Sequence, residues 1–380
     1  MTPTIRYLDD PHGNSVAYAR FGDGPLLVCP CWWVSHAEKD WESAWFRRFF
    51  SRLGREFRVV LYDRPGVGLS NREAPPRTLE SEVELLASVI DTASGAEKAL
   101  LFAISCAVPI ALSYAAENAD RVDKICCYGG YLDGADIATP PVRKLMVDTV
   151  RTHWGMGSRA LADVFLPDQT REELDMLSKH QRDSASAEKA AELLELTYTM
   201  DATDALARLT TELLVIHRTA DRAIPCAAGR RLAASIPGTP FVALSGSAHP
   251  PWFGATDVLD AAIAFLGGGP LTAEPRSGRD PAAVARAGPL DAPNRRLITP
   301  DGPIALTPLE FGVVQHLVDA PGRVVTRDEL LEHVWHSPFD GSNKVDAVIR
   351  TLRKKLGIRS GSIETVRGHG YSFRDWMGDG

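Results

Sequence analysis

The sequence lacks the features that mark a membrane or secreted protein. It contains no apolar run as long as a bilayer span, and no basic region followed by an apolar stretch at its start. Its six cysteines are too few for a disulfide framework, so they are interpreted as reduced core thiols. The pair Cys29 and Cys31 is too tightly spaced for zinc, and no second pair matches it. We therefore expect a cytoplasmic protein with no membrane partner, no metal and no cofactor.

The sequence also lacks an excess of positive charge. Its formal net charge is -7, which would repel DNA if the charges were spread evenly. Residues 295–376 hold 12 Lys and Arg against 10 Asp and Glu, a net of +2, so the remainder carries -9. Any nucleic-acid surface must therefore be local, and it depends on how the cations cluster. The length of 380 residues fits two domains.

The first two-thirds of the chain alternates strand and helix patterns. Most of the strand candidates are continuous apolar runs, as in a parallel sheet that is covered on both faces. These predicted strands are Leu26–Cys29, Arg58–Tyr62, Ala99–Ile104, Lys124–Tyr128, Leu213–His217 and Phe241–Leu244. Helical stretches such as Leu79–Thr92 and Val108–Glu117 separate them. An antiparallel hairpin with its turn at residues 10–14 precedes them, and the whole pattern predicts an α/β fold.

Two further segments divide the chain. Residues 133–204 contain no strong strand and are rich in Ala, Leu, Glu and Lys, so we predict a helical lid that shapes the substrate pocket. Residues 268–293 are dominated by Gly, Pro, Ala, Arg and Asp, a composition that cannot bury a core and predicts a flexible linker. The predicted domains are therefore 1–267 and 294–376.

Residues 294–376 show the order of elements of a winged helix, which is a small α+β fold. Short strands, three helices and a final strand pair are predicted at 296–298, 304–306, 308–319, 327–335, 345–356, 362–366 and 371–373. The last of the three helices has one apolar face, and its other positions are rich in cations. The turn between the two final strands carries Arg367 and two glycines. A basic helix for the major groove beside a basic hairpin is typical of a DNA-binding domain.

Three residues of the first domain have the order of a catalytic triad. Ser105 stands in the pattern Ala-x-Ser-x-Ala where an apolar strand turns into a helix, as in a nucleophile elbow. Asp221 follows one predicted strand, and His249 follows the next. Taken singly, each is better explained structurally, as a turn serine, a helix cap or a surface histidine. All three in this order, each just after a strand, predict a Ser-Asp-His triad.

Residues 5–267 resemble the α/β-hydrolase superfamily. The run from Asp63 to Ser70 reads DRPGVGLS and matches the D-x-x-G-x-G-x-S turn of that superfamily. The runs 33–36 (WVSH) and 40–42 (DWE) resemble hydrolase domains that are fused to bacterial nucleotide cyclases and regulators. The chain departs from the usual pattern in two places. Its oxyanion loop has Pro30-Cys31 in place of His-Gly, and alanines replace both glycines of the elbow.

The resemblance implies a role for each residue of the site. Ser105 would be the nucleophile, His249 the general base, and Asp221 the group that orients the imidazole. The backbone N–H groups of Trp32 and Cys106 would form the oxyanion hole. The side chains predicted to line the ligand pocket are Trp33, His36 and Trp252. Core packing is an equally good explanation for the tryptophans.

From residue 306 onward the sequence resembles the effector domain of OmpR-type response regulators. The matching runs lie in Leu306–Phe311, Val325–Trp335, Val345–Leu356 and Glu364–Phe373. The resemblance implies that the DNA-contacting residues, mostly on the sugar-phosphate backbone and the minor groove, are Arg350, Arg353, Thr365 and Arg367. The same surface is predicted to include Lys344, Thr351 and Lys354. A receiver domain normally precedes such an effector, and here the hydrolase-like domain takes its place and is predicted to be the input.

Three functions fit these patterns. The first is a transcriptional regulator whose hydrolase-like domain binds, and in one version slowly cleaves, a small ester, lactone or related ligand. The second is a working serine hydrolase of the esterase or lactonase type that also binds DNA. The third is a DNA-binding scaffold in which the hydrolase domain only dimerises. The altered elbow and the fused effector favour the first. The expected partners are promoter or operator DNA, a small molecule and a second copy of the chain, with RNA polymerase as a further candidate.

Overall fold

The chain divides into two compact units, Met1–Pro275 and Arg276–Gly380. The computed structural model describes residues 3–95, 97–254, 256–269, 290–291, 296–299, 302–318, 320, 323–331, 334, 344–366 and 369–373. Within these residues, none of the helices combines the length and apolar character that crossing a bilayer requires. The six cysteines are all free thiols, and five of them are buried.

The first unit is built on an eight-stranded sheet with the order β1-β2-β4-β3-β5-β6-β7-β8. Its strands are β1 (Thr4–Asp9), β2 (Ser15–Phe21), β3 (Leu26–Cys29), β4 (Arg58–Tyr62), β5 (Ala99–Ile104), β6 (Val122–Tyr128), β7 (Glu212–Arg218) and β8 (Phe241–Leu244). The opening hairpin is antiparallel, and the strands from β3 to β8 pair in parallel. The predicted hairpin and parallel sheet are thus confirmed, with small extensions of β6 and β7.

Helices cover both faces of this sheet, as the apolar strands require. One face packs against α1 (Ala44–Glu56) and α9 (Asp257–Leu266), and the aromatic side chains of α1 fill that layer. The other face packs against α2 (Leu79–Ser94), α3 (Ala107–Glu117) and α8 (Cys226–Ala234). Because helices close both faces of the sheet, the carboxyl ends of the parallel strands are left for polar groups. Ligands of open α/β sheets bind at these ends.

The segment between β6 and β7 is helical, in agreement with the sequence pattern. It contains α4 (Pro140–Thr152), α5 (Trp154–Phe165), α6 (Arg171–Ser184) and α7 (Ala187–Thr199). Thr170 and Glu173 form a capping box that fixes the start of α6. Apolar side chains of α4, α5 and α7 join the main core of the unit, so this segment is packed onto the sheet domain.

In the part of the second unit that the structure describes, two small sheets combine with three α-helices. The first sheet, in the order β11-β10-β9, contains β9 (Leu290–Asp291), β10 (Arg296–Thr299) and β11 (Gly302–Ala305). The second, in the order β12-β14-β13, contains β12 (Val325–Thr326), β13 (Ile363–Val366) and β14 (Gly370–Phe373). The helices are α10 (Pro308–Val318), α11 (Arg327–Leu330) and α12 (Lys344–Leu356). Their apolar faces share one core that includes Leu317, Ile349 and Phe373.

The second unit begins earlier in the chain than the sequence suggested. Residues 290–291 fall within the segment predicted as linker, yet they form β9 and pair with β10 through Asp291 and Leu290. Leu290 is an apolar residue within a run of Gly, Pro and Ala, and it extends the sheet by pairing with Leu297 of β10. Residues 270–289 and 292–293 of the predicted linker lie outside the described residues.

Candidate functional site

Ser105 lies at the sharp turn between β5 and α3. It is the one non-glycine residue with a positive φ in the part of the chain that the structure describes, and its φ is 60°. Such a conformation is strained for a residue with a Cβ, and the strain turns the hydroxyl out of the end of the strand. The flanking Ala103 and Ala107 are completely buried, so small side chains are needed on both sides of the turn. The local geometry is that of a nucleophile elbow.

The three predicted triad residues meet in one hydrogen-bonded series. His249 Nε2 lies 2.9 Å from Ser105 Oγ, and His249 Nδ1 lies 2.8 Å from Asp221 Oδ2. When Nδ1 donates to the carboxylate, Nε2 accepts the serine proton. All three residues are buried, with exposed fractions of 6 to 8%. Taken together, this geometry supports removal of the Ser105 proton by His249.

The pKa of Asp221 is held low by its neighbours. Burial by itself raises the pKa of this carboxyl, but the charge of His249 and hydrogen bonds from His217 and His249 lower it well below its usual value. The Asp221 carboxylate also accepts the backbone N–H groups of Ala223 and Ile224, at 2.8 and 3.2 Å. The carboxyl group therefore stays ionised and keeps the imidazole oriented.

Two residues at the end of β7 support the site and were missed by sequence reasoning. His217 is fully buried, with Nε2 2.9 Å from the carbonyl oxygen of Ile224 and 3.5 Å from Asp221 Oδ2. Arg218 donates to the carbonyl oxygens of Ser245 and Phe253, at 2.9 and 3.3 Å. Those carbonyls lie four residues before and four residues after His249. The sequence does contain a signal for His217 and Arg218, because both lie at the carboxyl end of a buried strand, where functional groups of such sheets gather.

The helical segment contacts the triad through Phe165. The ring of Phe165, at the end of α5, stacks on His249 with 5.4 Å between ring centroids, and its carbonyl oxygen accepts the His249 backbone N–H at 2.8 Å. Trp33 makes edge contacts with Phe165 and Trp154 of the same helix, and its Nε1 donates to the carbonyl oxygen of Ala190 on α7. Trp33 thus joins the loop after β3 to the helical segment whose Phe165 contacts His249.

The other predicted pocket residues have different surroundings. Trp252 packs with Trp32 against the rings of α1, at 5.1 Å between the two tryptophan centroids. Core packing, the alternative explanation, accounts for these contacts of Trp252. His36 is buried, and its Nδ1 accepts the backbone N–H of Lys39 at 3.2 Å. The contacts recorded for the described residues do not join His36 to the triad.

Two backbone N–H groups are available for an oxyanion. Cys106 immediately precedes the first residue of α3, and Trp32 lies in the loop after β3. Neither amide donates to a protein acceptor within the described part of the chain. The two segments approach each other, because the Arg64 guanidinium reaches the carbonyl oxygens of Cys31 and Trp32 and lies 3.9 Å from Cys106 Sγ. The Trp32 and Cys106 amides of the predicted oxyanion hole thus belong to segments that share contacts with one guanidinium.

In the second unit, the predicted DNA-binding residues fall into two groups. Lys344, Arg350, Thr351 and Lys354 are exposed on α12. Arg353 is half-buried, and it donates to the carbonyl oxygen of Ile363 at 3.1 Å and to Thr365 Oγ1 at 2.8 Å. Arg353 and Thr365 therefore connect α12 to β13. Arg367 lies outside the described residues.

A second set of contacts fixes α12 against the final strand. Arg327 donates through Nε to Asp346 Oδ1 at 3.0 Å and through Nη2 to the Tyr371 hydroxyl at 3.1 Å. The Tyr371 hydroxyl in turn donates to Asp346. The Arg327 guanidinium also lies 4.9 Å above the centre of the Tyr371 ring. The start of α12 is thus held to α11 and β14, while its cations at 350 and 354 face solvent.

Comparison with known proteins assigns each unit. Residues 301–373 match the family described as transcriptional regulatory protein, C terminal, and residues 26–262 match the alpha/beta hydrolase family. Transcriptional regulatory protein CseB of Streptomyces coelicolor is 42% identical over 73 residues, which cover 19% of this chain and 30% of that protein. Phosphate regulon transcriptional regulatory protein PhoB of Klebsiella pneumoniae is 40% identical over 88 residues, covering 22% and 38%. The chain thus spans about a third of the length of these curated relatives.

Solved structures match the first unit. An esterase from Exiguobacterium antarcticum superposes with a TM-score of 0.62 at 14% identity, covering 70% of this chain and all of that one. An enol-lactonase from Burkholderia xenovorans gives a TM-score of 0.56 at 22% identity, covering 69% and 100%. Identities this low support the shared fold alone. Because the family match at 26–262 covers more than half of the sequence, the chain belongs to the alpha/beta hydrolase family, and it carries an OmpR-type transcriptional regulatory domain at its C-terminal end.

Proposed function

We propose that this protein is a cytoplasmic transcriptional regulator whose hydrolase domain binds a small ester, lactone or related molecule at Ser105. One observation carries the proposal. Ser105, His249 and Asp221 form a continuous hydrogen-bonded series in a chain that also contains a transcriptional regulatory domain. A scaffold would not need an ionised, oriented triad under an aromatic cover, so the third hypothesis, dimerisation alone, is disfavoured.

The chemistry follows from the roles of the three side chains. Ser105 Oγ would attack the carbonyl carbon of the ligand while His249 takes its proton, and Asp221 keeps the imidazole in the correct tautomer. The N–H groups of Trp32 and Cys106 would hold the resulting oxyanion. The oxyanion would then collapse in one of two ways. It would expel the alcohol part of the ligand, which takes the proton from His249, and leave an acyl-serine that water hydrolyses slowly, or it would expel Ser105 Oγ, which takes the proton back, so that the ligand leaves without cleavage. The aromatic cover of Trp33 and Phe165 favours a ligand with apolar surface.

DNA recognition would use α12 and the hairpin that follows it. The exposed cations at 350 and 354 would supply charge to phosphates, and α12 would enter the major groove. Two copies of the chain on a repeated site are expected, because recognition helices of this kind commonly bind two half-sites as a pair. RNA polymerase is a candidate partner of such a promoter-bound regulator.

A ligand changes DNA affinity only when it binds the DNA-competent and DNA-incompetent states differently. The lid is the proposed moving part, because Phe165 and Trp33 close over the triad and must separate for a ligand to reach Ser105. Opening or closing would then change the surface offered to a second copy of the chain. A coupling free energy of about 1–3 kcal/mol would change DNA affinity roughly 5–150-fold.

The test uses a fluorophosphonate probe as a covalent ligand. A DNA duplex is first selected from a random pool by the full chain, and its affinity is then measured with free and with phosphonylated protein. We expect labelling of the wild type, no labelling of Ser105→Ala, and an affinity change of roughly 5–150-fold on labelling of the wild type only. Labelling that persists in Ser105→Ala would move the nucleophile elsewhere.

The second candidate, a working hydrolase that happens to bind DNA, gives a different result. The intact triad favours it, and it predicts rapid turnover of simple esters. Under that function, the labelled and free proteins would bind the duplex equally, with an unchanged oligomeric state and unchanged promoter output. If no duplex is selected at low salt, the DNA-binding half of the proposal fails.

A further inference from the structure

Arg64 occupies an unusual place beneath the loop that carries Trp32. It stands two residues beyond the end of β4, and its side chain is completely buried. Its Nη2 atom lies 2.5 Å from the carbonyl oxygen of Cys31, 3.3 Å from that of Trp32 and 3.9 Å from Cys106 Sγ. One guanidinium edge therefore lies beside both segments that supply the candidate oxyanion amides.

The contact with the Cys31 carbonyl fixes the direction of the Trp32 amide. The carbonyl of Cys31 and the N–H of Trp32 belong to one peptide group, and the described chain contains no cis peptide. In a planar trans peptide, these two groups point in opposite directions. A cation that holds the carbonyl on the buried side therefore turns the N–H away from Arg64, and the same hydrogen bond polarises the peptide and strengthens that N–H as a donor.

Arg64 is one member of a chain of buried charges. Glu82 on α2 lies 3.8 Å from Arg64 Nε and accepts from Arg77 Nε at 2.9 Å, and Arg77 also lies 3.5 Å from Asp10. All four side chains are nearly inaccessible to solvent. Within the described residues, Arg64 Nε and Nη1 have no hydrogen-bond acceptor. The carbonyls of the Trp32 loop are thus the groups to which this guanidinium donates its close hydrogen bonds.

We propose that Arg64 is a positioning residue for the oxyanion hole, acting through the Cys31–Trp32 peptide. This inference rests on the proposed chemistry at Ser105. It also explains how the Trp32 amide would keep its direction although Pro30-Cys31 replaces the usual His-Gly pair. Asp63, the preceding residue, holds the rest of the same loop by accepting from Ser35 Oγ at 2.6 Å and from the Ala37 amide at 2.9 Å. Asp63 and Arg64, which directly follow β4, thereby bond to the loop after β3 at both Cys31–Trp32 and Ser35–Ala37.

The test compares Arg64→Met with Arg77→Met. Arg77 is a matched control, because it is an equally buried member of the same charge chain but donates to Ser81 and Glu82 and not to the Trp32 loop. The phosphonylation rate of Ser105 is measured as a maximal rate and a half-saturating probe concentration, beside the thermal unfolding midpoint. We expect both variants to unfold at lower temperature, and only Arg64→Met to lose maximal rate, by about 10²-fold, at nearly constant half-saturation.

Arg64→Lys provides a variant that keeps the buried charge. An ammonium lacks the planar fork of the guanidinium, so we expect a maximal rate between those of the wild type and Arg64→Met. The wild type itself is tested by labelling its tryptophans with nitrogen-15. The amide proton of Trp32 should move downfield when Ser105 is phosphonylated, because it gains the phosphonyl oxygen as an acceptor.

The outcomes separate the two proposals. Absence of labelling in the wild type would contradict the proposed chemistry at Ser105. Normal labelling of the wild type with equal losses in Arg64→Met and Arg77→Met would make Arg64 a structural residue and overturn the inference. An unmoved Trp32 amide in the phosphonylated wild type would overturn it as well, whether or not the variants fold.

Discussion

The two units use charge in opposite ways. At the carboxyl edge of the large sheet, the charged groups are buried and bonded to one another, as Asp221 is to His249 and Arg64 to the Trp32 loop. On α12, Arg350 and Lys354 are exposed to solvent. A preorganised buried group acts strongly because no water competes with it, whereas exposed cations act on a polyanion by releasing counterions.

This difference predicts how each surface responds to mutation. In the buried site, each group depends on the next, so a single substitution removes most of the activity. On α12, each phosphate contact adds a separate increment that salt weakens. On α12, separate increments are expected only from cations whose side chains face solvent. Arg353 lies on the same helix, but it donates hydrogen bonds to Ile363 and Thr365 within the domain.

The largest effect is expected for Asp221→Asn. An amide in place of the carboxylate keeps the shape but favours the wrong imidazole tautomer, so phosphonylation of Ser105 should slow by about 10⁴-fold. The measurement is the rate of probe labelling at neutral pH. Asp257→Asn is the control, because Asp257 bonds to Arg218 at 3.3 Å and not to His249. A loss of less than about tenfold in Asp221→Asn would mean that the buried series does not act as a unit.

A smaller effect is expected on DNA binding, and it should differ between two arginines one helical turn apart. Arg350→Ala should lower DNA affinity by about 1.4 kcal/mol, which is tenfold, and reduce the salt slope by about one unit. Arg353→Ala should lower affinity without changing the slope, because it removes the bonds to Ile363 and Thr365 that hold β13 to α12. Affinity is measured by titration at several salt concentrations.

Lys354→Ala serves as the matched control for this pair. Its side chain is exposed, so it should behave as Arg350→Ala does and leave the unfolding temperature unchanged. The thermal midpoint of Arg353→Ala should fall, since its half-buried side chain makes the two hydrogen bonds described above. An equal loss of salt slope in Arg350→Ala and Arg353→Ala would show that both arginines contact phosphate and would remove the distinction.

The sheet and the triad order were predictable from the sequence because both depend on local patterns. Buried parallel strands are continuous apolar runs, and the fold sets the chain order in which residues follow them. The pattern around Ser105 gained its meaning only from Asp221 and His249, each just beyond a later strand. The positive φ of Ser105, its hydrogen bond to His249 and the hydrogen bond of His249 to Asp221 agree with that expectation.

The contacts between distant segments were not predictable in this way. Trp33 and Trp252 look alike in the sequence, yet one contacts the lid and the other packs with the rings of α1. The resemblance predicted Arg353 as a DNA contact, and in the structure it donates hydrogen bonds to Ile363 and Thr365 of its own unit. Which partner a long side chain finds depends on how helices pack, and no local pattern contains that information.

The smallest effect concerns His180, a histidine of the helical segment between β6 and β7. His180 on α6 lies 2.9 Å from Asp40, which belongs to the short helix Lys39–Glu42 after the oxyanion loop. Burial lowers the pKa of His180, but the hydrogen bond and the charge of Asp40, aided by Asp183, raise it above its usual value. Lys39 and Lys179 also face this group, and both are paired with Asp183.

A raised pKa in the folded state means that the imidazolium contact stabilises the lid fully below the ordinary histidine pKa of about 6.5 and is lost as pH rises through the folded value. His180→Gln should therefore lower the unfolding midpoint of the hydrolase domain at acidic pH, by roughly 2–4 °C for each kcal/mol, and should match the wild type at alkaline pH. His12→Gln is the control, because His12 pairs with Glu84 on an exposed surface, where an ion pair contributes little. A difference between wild type and His180→Gln that is constant with pH would assign the contact to packing instead of charge.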